Sequence, residues 1–127
     1  MGIVQDEGDV AELLALWFDA LGWDVTTASS GPEGLAATIA VDPDILILDD
    51  ILLGFNGREV LRRLRVTGST TPVIITTALD DFDKPYHPGA VAAAGAQARL
   101  IKPYSLVALE ERVRALCTPE KNGAAEA

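Results

Sequence analysis

The sequence predicts a doubly wound α/β domain: one five-stranded parallel sheet with five helices shared between its two faces. Three observations carry this. The runs Ile45-Leu-Ile-Leu48 and Val73-Ile-Ile75 are apolar without alternation, as strands covered on both faces are. Strand-like runs alternate with helix-like stretches along the chain, the order that builds parallel sheets. Apolar strand-like runs also lead into Asp49, Thr77 and Lys102, and open parallel sheets place their sites at the carboxyl ends of strands.

Each element has its own signal. Ile3-Val4 is a short first strand. Asp9-Val-Ala-Glu12 reads as a capping box opening the first helix. Val10, Leu13, Leu14, Trp17 and Leu21 form its apolar stripe, and Gly22 stops it. Both tryptophans read as structural, Trp17 in that stripe and Trp23 beside a weak strand, Val25 to Ala28. Ser30-Gly-Pro-Glu33 starts a second helix that runs to about Ala40. Pro43 introduces the strand Ile45 to Leu48, which ends in Asp49-Asp50. Asn56 and Glu59 cap a third helix containing Val60, Leu61 and Leu64. A turn, Gly68 to Pro72, precedes the β-branched strand Val73 to Thr77. A polar loop, Leu79 to Pro88, leads to a short Ala-rich helix closing near Gly95. Arg99-Leu-Ile101 is the last strand, and Ser105 caps a helix with Leu106, Leu109, Val113 and Leu116 on one face. Residues 118–127 have no apolar anchor and read as a disordered tail, leaving one domain over 1–117.

The chain has 127 residues, enough for one domain with a real core, and 49% hydrophobic and 23% charged content. No stretch of about 18 uninterrupted apolar residues is present, so no membrane span is expected. The lone Cys117 excludes an internal disulfide and reads as packed at the end of the last helix. No basic-then-apolar leader opens the chain, and the expected location is cytoplasmic. A formal net charge of −9 argues against a nucleic-acid surface. The one basic cluster, Arg58, Arg62, Arg63 and Arg65, reads as a solvated helix face, with a contact surface for an acidic partner as the alternative.

The chemistry lies at the strand ends. Asp49 follows the most buried strand, and Asp6 follows the first strand and reaches the same crevice. Either acid alone could serve only its own turn; as a pair they suit magnesium, which takes few carboxylates and keeps several waters. Glu7 and Asp50 lie close by in sequence. An aspartate so placed can act as a covalent nucleophile, giving an aspartyl phosphate. Lys102, restricted by the following Pro103, would pair with Asp49 at rest and with a phosphoryl oxygen afterwards. The Thr77 hydroxyl would donate to a second phosphoryl oxygen. Thr76, one step out of phase on the strand, points the other way and is given no role.

These residues bring in a resemblance. Pro43-Asp-Ile-Leu-Ile-Leu-Asp49 continuing to Asn56-Gly57, Gly95-Ala96 with Lys102-Pro103-Tyr104, Thr77-Ala78 and Asp6-Glu7 stand in the order and spacing of a two-component response-regulator receiver domain. The chain resembles that chemotaxis-Y-like family from Ile3 to about Leu116. The resemblance implies a flavodoxin-like three-layer sandwich with strand order 2-1-3-4-5. It implies that Asp49 accepts a phosphoryl group from a sensor histidine kinase or phosphotransfer protein. It also implies Mg2+ held by Asp6, Asp49 and the Ile51 backbone carbonyl, with Thr77 and Lys102 on the phosphoryl group. In the family, the Thr and a later aromatic residue then move and remodel the face of the fourth helix, fifth strand and fifth helix. Arg99 and Tyr104 fall on that switch and interface region. A downstream effector or a tethered output domain outside this chain would receive the signal.

Four residues depart from the family pattern. Gln5 stands where the first of two acids is usual, which would weaken magnesium binding unless Glu7 or Asp50 compensates. Asp50 replaces an apolar residue, and its burial would be costly without a partner. Leu53 replaces a proline. Arg99 takes the place of the switch aromatic, which puts the usual Thr–aromatic switch in doubt. The loop Leu79 to Pro88 is longer than usual, and its His87, the chain's single histidine, reads as a polar loop residue.

The leading expectation is a phosphorylatable switch whose only catalysis is its own phosphorylation and dephosphorylation. A degenerate receiver that binds partners without phosphorylation is the second reading. A small phosphatase is poorer, since Ile51 stands where a second carboxylate would be needed, and Gly8 alone makes no phosphate-binding glycine loop. The charges of Glu110, Glu111, Arg112 and Arg114 on the last helix fit either a homodimer or water.

Overall fold

A computed structural model describes residues 1–78 and 95–117. Its five parallel strands are β1 (Gly2–Val4), β2 (Thr26–Ala28), β3 (Leu46–Asp49), β4 (Val73–Thr77) and β5 (Ala98–Ile101). They lie in the order β2-β1-β3-β4-β5, as expected. Four helices fall among the described residues: α1 (Gly8–Ala20), α2 (Gly31–Val41), α3 (Gly57–Val66) and α4 (Leu106–Leu116). The expected Ala-rich helix and the polar loop with His87 fall on 79–94, and the expected tail on 118–127; both lie outside the described residues.

The sheet's pleat sorts the core into two layers. Ile3, Ile47, Ile74 and Leu100 face one way and pack with Leu14 and Phe18 of α1 and Leu109 and Val113 of α4. Val4, Leu46, Leu48, Val73 and Ile75 face the other way, against Val60, Leu61 and Leu64 of α3 and Leu35 of α2. Each fully buried aliphatic or aromatic side chain contributes roughly 1.5–3 kcal/mol, so these layers dominate the fold's stability.

Most boundary signals hold. Ser30, Asn56 and Ser105 each accept a hydrogen bond from the amide three residues on, at Glu33, Glu59 and Ala108. Gly22, at φ 99°, ends α1: its amide donates to Asp19 and that of Trp23 to Phe18, and Trp23 is buried beyond the turn.

Two readings of α1 are corrected. The helix starts at Gly8 behind an extended Glu7 with no side-chain cap, so Asp9 lies inside the first turn and cannot cap it from outside. The stripe runs through Val10, Leu14, Trp17, Phe18 and Leu21, while Leu13 is 52% exposed. The basic face of α3 is also only partly solvated. Arg62 and Arg63 hold Glu59, and Arg63 lies 4.2 Å over the Phe55 ring. Arg65 instead turns inward and donates to the carbonyls of Ser69, Thr71 and Gly95.

Candidate phosphoacceptor site

The ends of β1, β3, β4 and β5 converge on one open pocket of ≈ 280 Å³, lined by Asp6, Glu7, Asp49, Ile51, Thr77, Ala78 and Lys102. The strand ends are locked together by backbone bonds: Asp50 N–H donates to Thr76 O at 2.9 Å and Lys102 N–H to Thr77 O at 2.7 Å. Behind them α3 begins so close that its first residue must be glycine. A Cβ on Gly57 would stand 2.3 Å from the Asp49 carbonyl oxygen.

Asp49 is 4% exposed, and its Oδ1 lies 2.6 Å from Lys102 Nζ. Coulomb attraction is least screened in such a wall, which anchors the carboxylate against one side of the pocket. Asp6 is half-buried and Glu7 exposed, and both line the same pocket. Gln5 is 2% exposed and its Oε1 accepts the Glu7 amide at 3.1 Å, so it shapes the loop and adds no charge.

The two threonines divide differently from the sequence reading. In the parallel register Asp49 pairs with Thr76, so these two side chains share the α1–α4 face of the sheet. Thr76 Oγ1 donates to Asp49 Oδ1 at 2.9 Å. Thr76 opposes Thr77, as the strand period predicts, and does not line the pocket, yet it meets Asp49, a contact the period alone did not show. Thr77 lines the pocket from its other side while its Oγ1 donates to Asp50 Oδ2 at 3.2 Å. Asp50, 1% exposed, thus has a hydroxyl partner for its buried charge and does not join the pocket wall.

Tyr104 sits beyond the cis Lys102–Pro103 peptide, half-buried against the α1–α4 core. Burial, and then the nearby Asp49 charge, push the phenol's pKa up. Arg99 is half-buried on the opposite face, beside Ile75, and its carbonyl accepts from Arg112 Nη1 at 3.2 Å.

The acidic lining is oxygen only, the carboxylates of Asp6, Glu7 and Asp49 with Ile51 beside them, which is chemistry suited to a hard, well-hydrated cation. Among the described residues no three His, Cys, Asp or Glu side chains cluster as a closed metal cage.

Comparison with known proteins decides the family. Residues 1–114 match the response regulator receiver domain model. The chain belongs to the receiver domain family of response regulators. It is similar to the uncharacterized transcriptional regulatory protein YkoG of Bacillus subtilis, 40% identical over 89% of this chain and 48% of that protein. It is similar also to transcriptional regulatory protein TrcR of Mycobacterium tuberculosis, 36% identical over 90% of this chain and 43% of that protein. The chain thus spans about half the length of the curated relatives it matches. Among solved structures, the Francisella response regulator 1452 receiver domain superimposes with a TM-score of 0.80 at 29% identity, covering 91% of this chain and 93% of that one. Response regulator TrrA of Thermotoga maritima, crystallised with Mg2+ and BeF, gives 0.78 at 26% identity, covering 91% and 96%. The receiver fold accounts for the order of strands and for the crevice at their carboxyl ends. No helix among the described residues is long and apolar enough to cross a membrane.

Proposed function

We propose that this receiver, residues 1–117, accepts a phosphoryl group on Asp49 from a histidine kinase or phosphotransfer protein and relays the signal by protein contact. One observation carries the reading: a buried carboxylate at the end of the central strand, 2.6 Å from a lysine ammonium, opening onto a pocket that Asp6 also lines.

The chemistry follows from those atoms. Both contacts of the Asp49 carboxylate among the described residues fall on Oδ1, which leaves Oδ2 for an incoming phosphorus. Oδ2 forms the new P–O bond while the donor's P–N bond breaks, and the histidine nitrogen keeps the electron pair. Lys102 neutralises the oxygens as charge moves onto the phosphoryl group, and Thr77 turns its hydroxyl from Asp50 to a phosphoryl oxygen. Asp6, Asp49 and the Ile51 carbonyl, with Glu7 at the rim, would hold Mg2+. When bound, that ion supplies charge neutralisation between carboxylate and phosphoryl oxygens. The relatives' names as transcriptional regulators, and their greater length, support a tethered output domain as the receiver of the signal.

Gln5 supports a second reading, a binding module that works without phosphorylation, because its side chain is buried in the loop and brings no charge to the cation site. Incubation with magnesium and acetyl phosphate, followed by intact-mass measurement, separates the two. We expect a gain of about 80 Da that is lost in Asp49→Ala and larger in Gln5→Asp. No gain in the starting protein, beside a labelled control receiver, would favour the binding module.

A further inference from the structure

We propose that Thr76 is a positioning residue that shortens the life of the phosphorylated state, by holding the Asp49 carboxylate as it leaves phosphorus. The proposal rests on Asp49 being the phosphoacceptor. Thr76 pairs with Asp49 across β3 and β4, is 1% exposed, and donates to Asp49 Oδ1 at 2.9 Å. A threonine hydroxyl has one proton. That proton goes to Asp49.

The consequence comes from comparing the two states of Asp49. As a free carboxylate, Oδ1 carries about half a negative charge and accepts a charge-assisted hydrogen bond, roughly twice as strong as a neutral one. As an acyl phosphate bonded through Oδ2, Oδ1 is a neutral carbonyl oxygen and gains less from the same donor. In hydrolysis, water oxygen bonds to phosphorus, the P–Oδ2 bond breaks, and its electron pair returns to the carboxylate. The water's protons leave with inorganic phosphate as dihydrogen phosphate. The transition state is loose, with the leaving carboxylate already largely charged. A donor fixed on Oδ1 therefore stabilises that transition state more than the acyl phosphate. Lys102 shares Oδ1 at rest but is assigned to a phosphoryl oxygen after transfer, which leaves Thr76 as the donor that stays. Val in its place would keep the shape and lose only the hydroxyl.

The test is the decay of the phosphorylated protein. Starting protein, Thr76→Val, Thr76→Ala and Thr76→Ser are charged with acetyl phosphate and magnesium, freed of donor, and followed by intact mass at fixed magnesium. Urea unfolding of each verifies that it is folded. We expect Thr76→Val to lose its phosphoryl group about three- to tenfold more slowly. Thr76→Ser should decay at the starting rate. Thr76→Ala decides the matter if Thr76→Val does not fold. Decay of the valine and alanine variants at or above the starting rate would overturn the proposal. So would a serine variant as slow as valine, since shape and not the hydroxyl would then be at work. Failure of the starting protein to gain any adduct would instead overturn the phosphoacceptor reading, and this inference with it.

Discussion

Asp49 owes its position to a glycine. Gly57 opens α3 directly against the end of β3, with its amide donating to Asp50 O at 2.7 Å and no room for a Cβ beside the Asp49 carbonyl. The obstacle is backbone on both sides, so relief requires moving either the helix start or the strand end. Gly57→Ala should therefore cost about 1–3 kcal/mol, the range for overpacking a tight contact. Equilibrium urea unfolding followed by tryptophan fluorescence should show a lower midpoint at unchanged slope, and an unmoved midpoint would mean the loop yields freely. The same neighbourhood shows which single residues could be read from the sequence. Asp49 and Lys102 were legible because each directly follows an apolar strand. Choosing between Thr76 and Thr77 was not possible from period alone. Period two says that they oppose each other, but which one meets Asp49 depends on the register of β4 against β3, a contact between residues 27 apart in sequence.

Helix ends were legible wherever a side chain could cap from outside the helix, as Ser30, Asn56 and Ser105 do. The misread start of α1 is a case where the loop itself, bent through the Gln5–Glu7 bond, sets the first turn. Its stripe was misplaced because Leu13 and Phe18 both continue a helical spacing from Val10 and Leu14, and only the sheet beneath chooses between them. Within α3, Glu59 is clasped by Arg62 and Arg63, at 2.6 Å and 2.7 Å. The hydrogen bonds from Arg62 and then Arg63 hold its carboxyl at about 2, below the ordinary 4.5. A carboxylate with a depressed folded-state pKa adds stability that is present above 4.5 and is lost as pH falls toward about 2. Because the group is exposed, water and salt screen the effect. Glu59→Gln should flatten the acid limb of stability against pH in that window at low salt, with the difference shrinking in high salt. An identical acid limb in the variant would show that the clasp does not contribute in solution.

At the scale of the whole molecule, the doubly wound sheet was legible because uninterrupted apolar runs need cover on both faces, and the two side-chain layers supply it. What the chain's order could not show is how its charge is distributed. A net charge of −9 repels itself everywhere, but among the described residues carboxylates converge on the strand-end pocket, at Asp6 and Asp49, where a cation can relieve it tightly. Screening and binding therefore separate by experiment. Potassium chloride at matched ionic strength should raise Tm a little through general screening. Magnesium should raise it further, since a ligand at ten times its Kd stabilises the folded state by about 1.4 kcal/mol. The increment above potassium should disappear in Asp6→Asn and in Asp49→Asn, and grow in Gln5→Asp, where a new carboxylate replaces the amide. If the magnesium increment survives in both asparagine variants, the ion is neutralising the surface as a whole and the strand-end pocket is not its site.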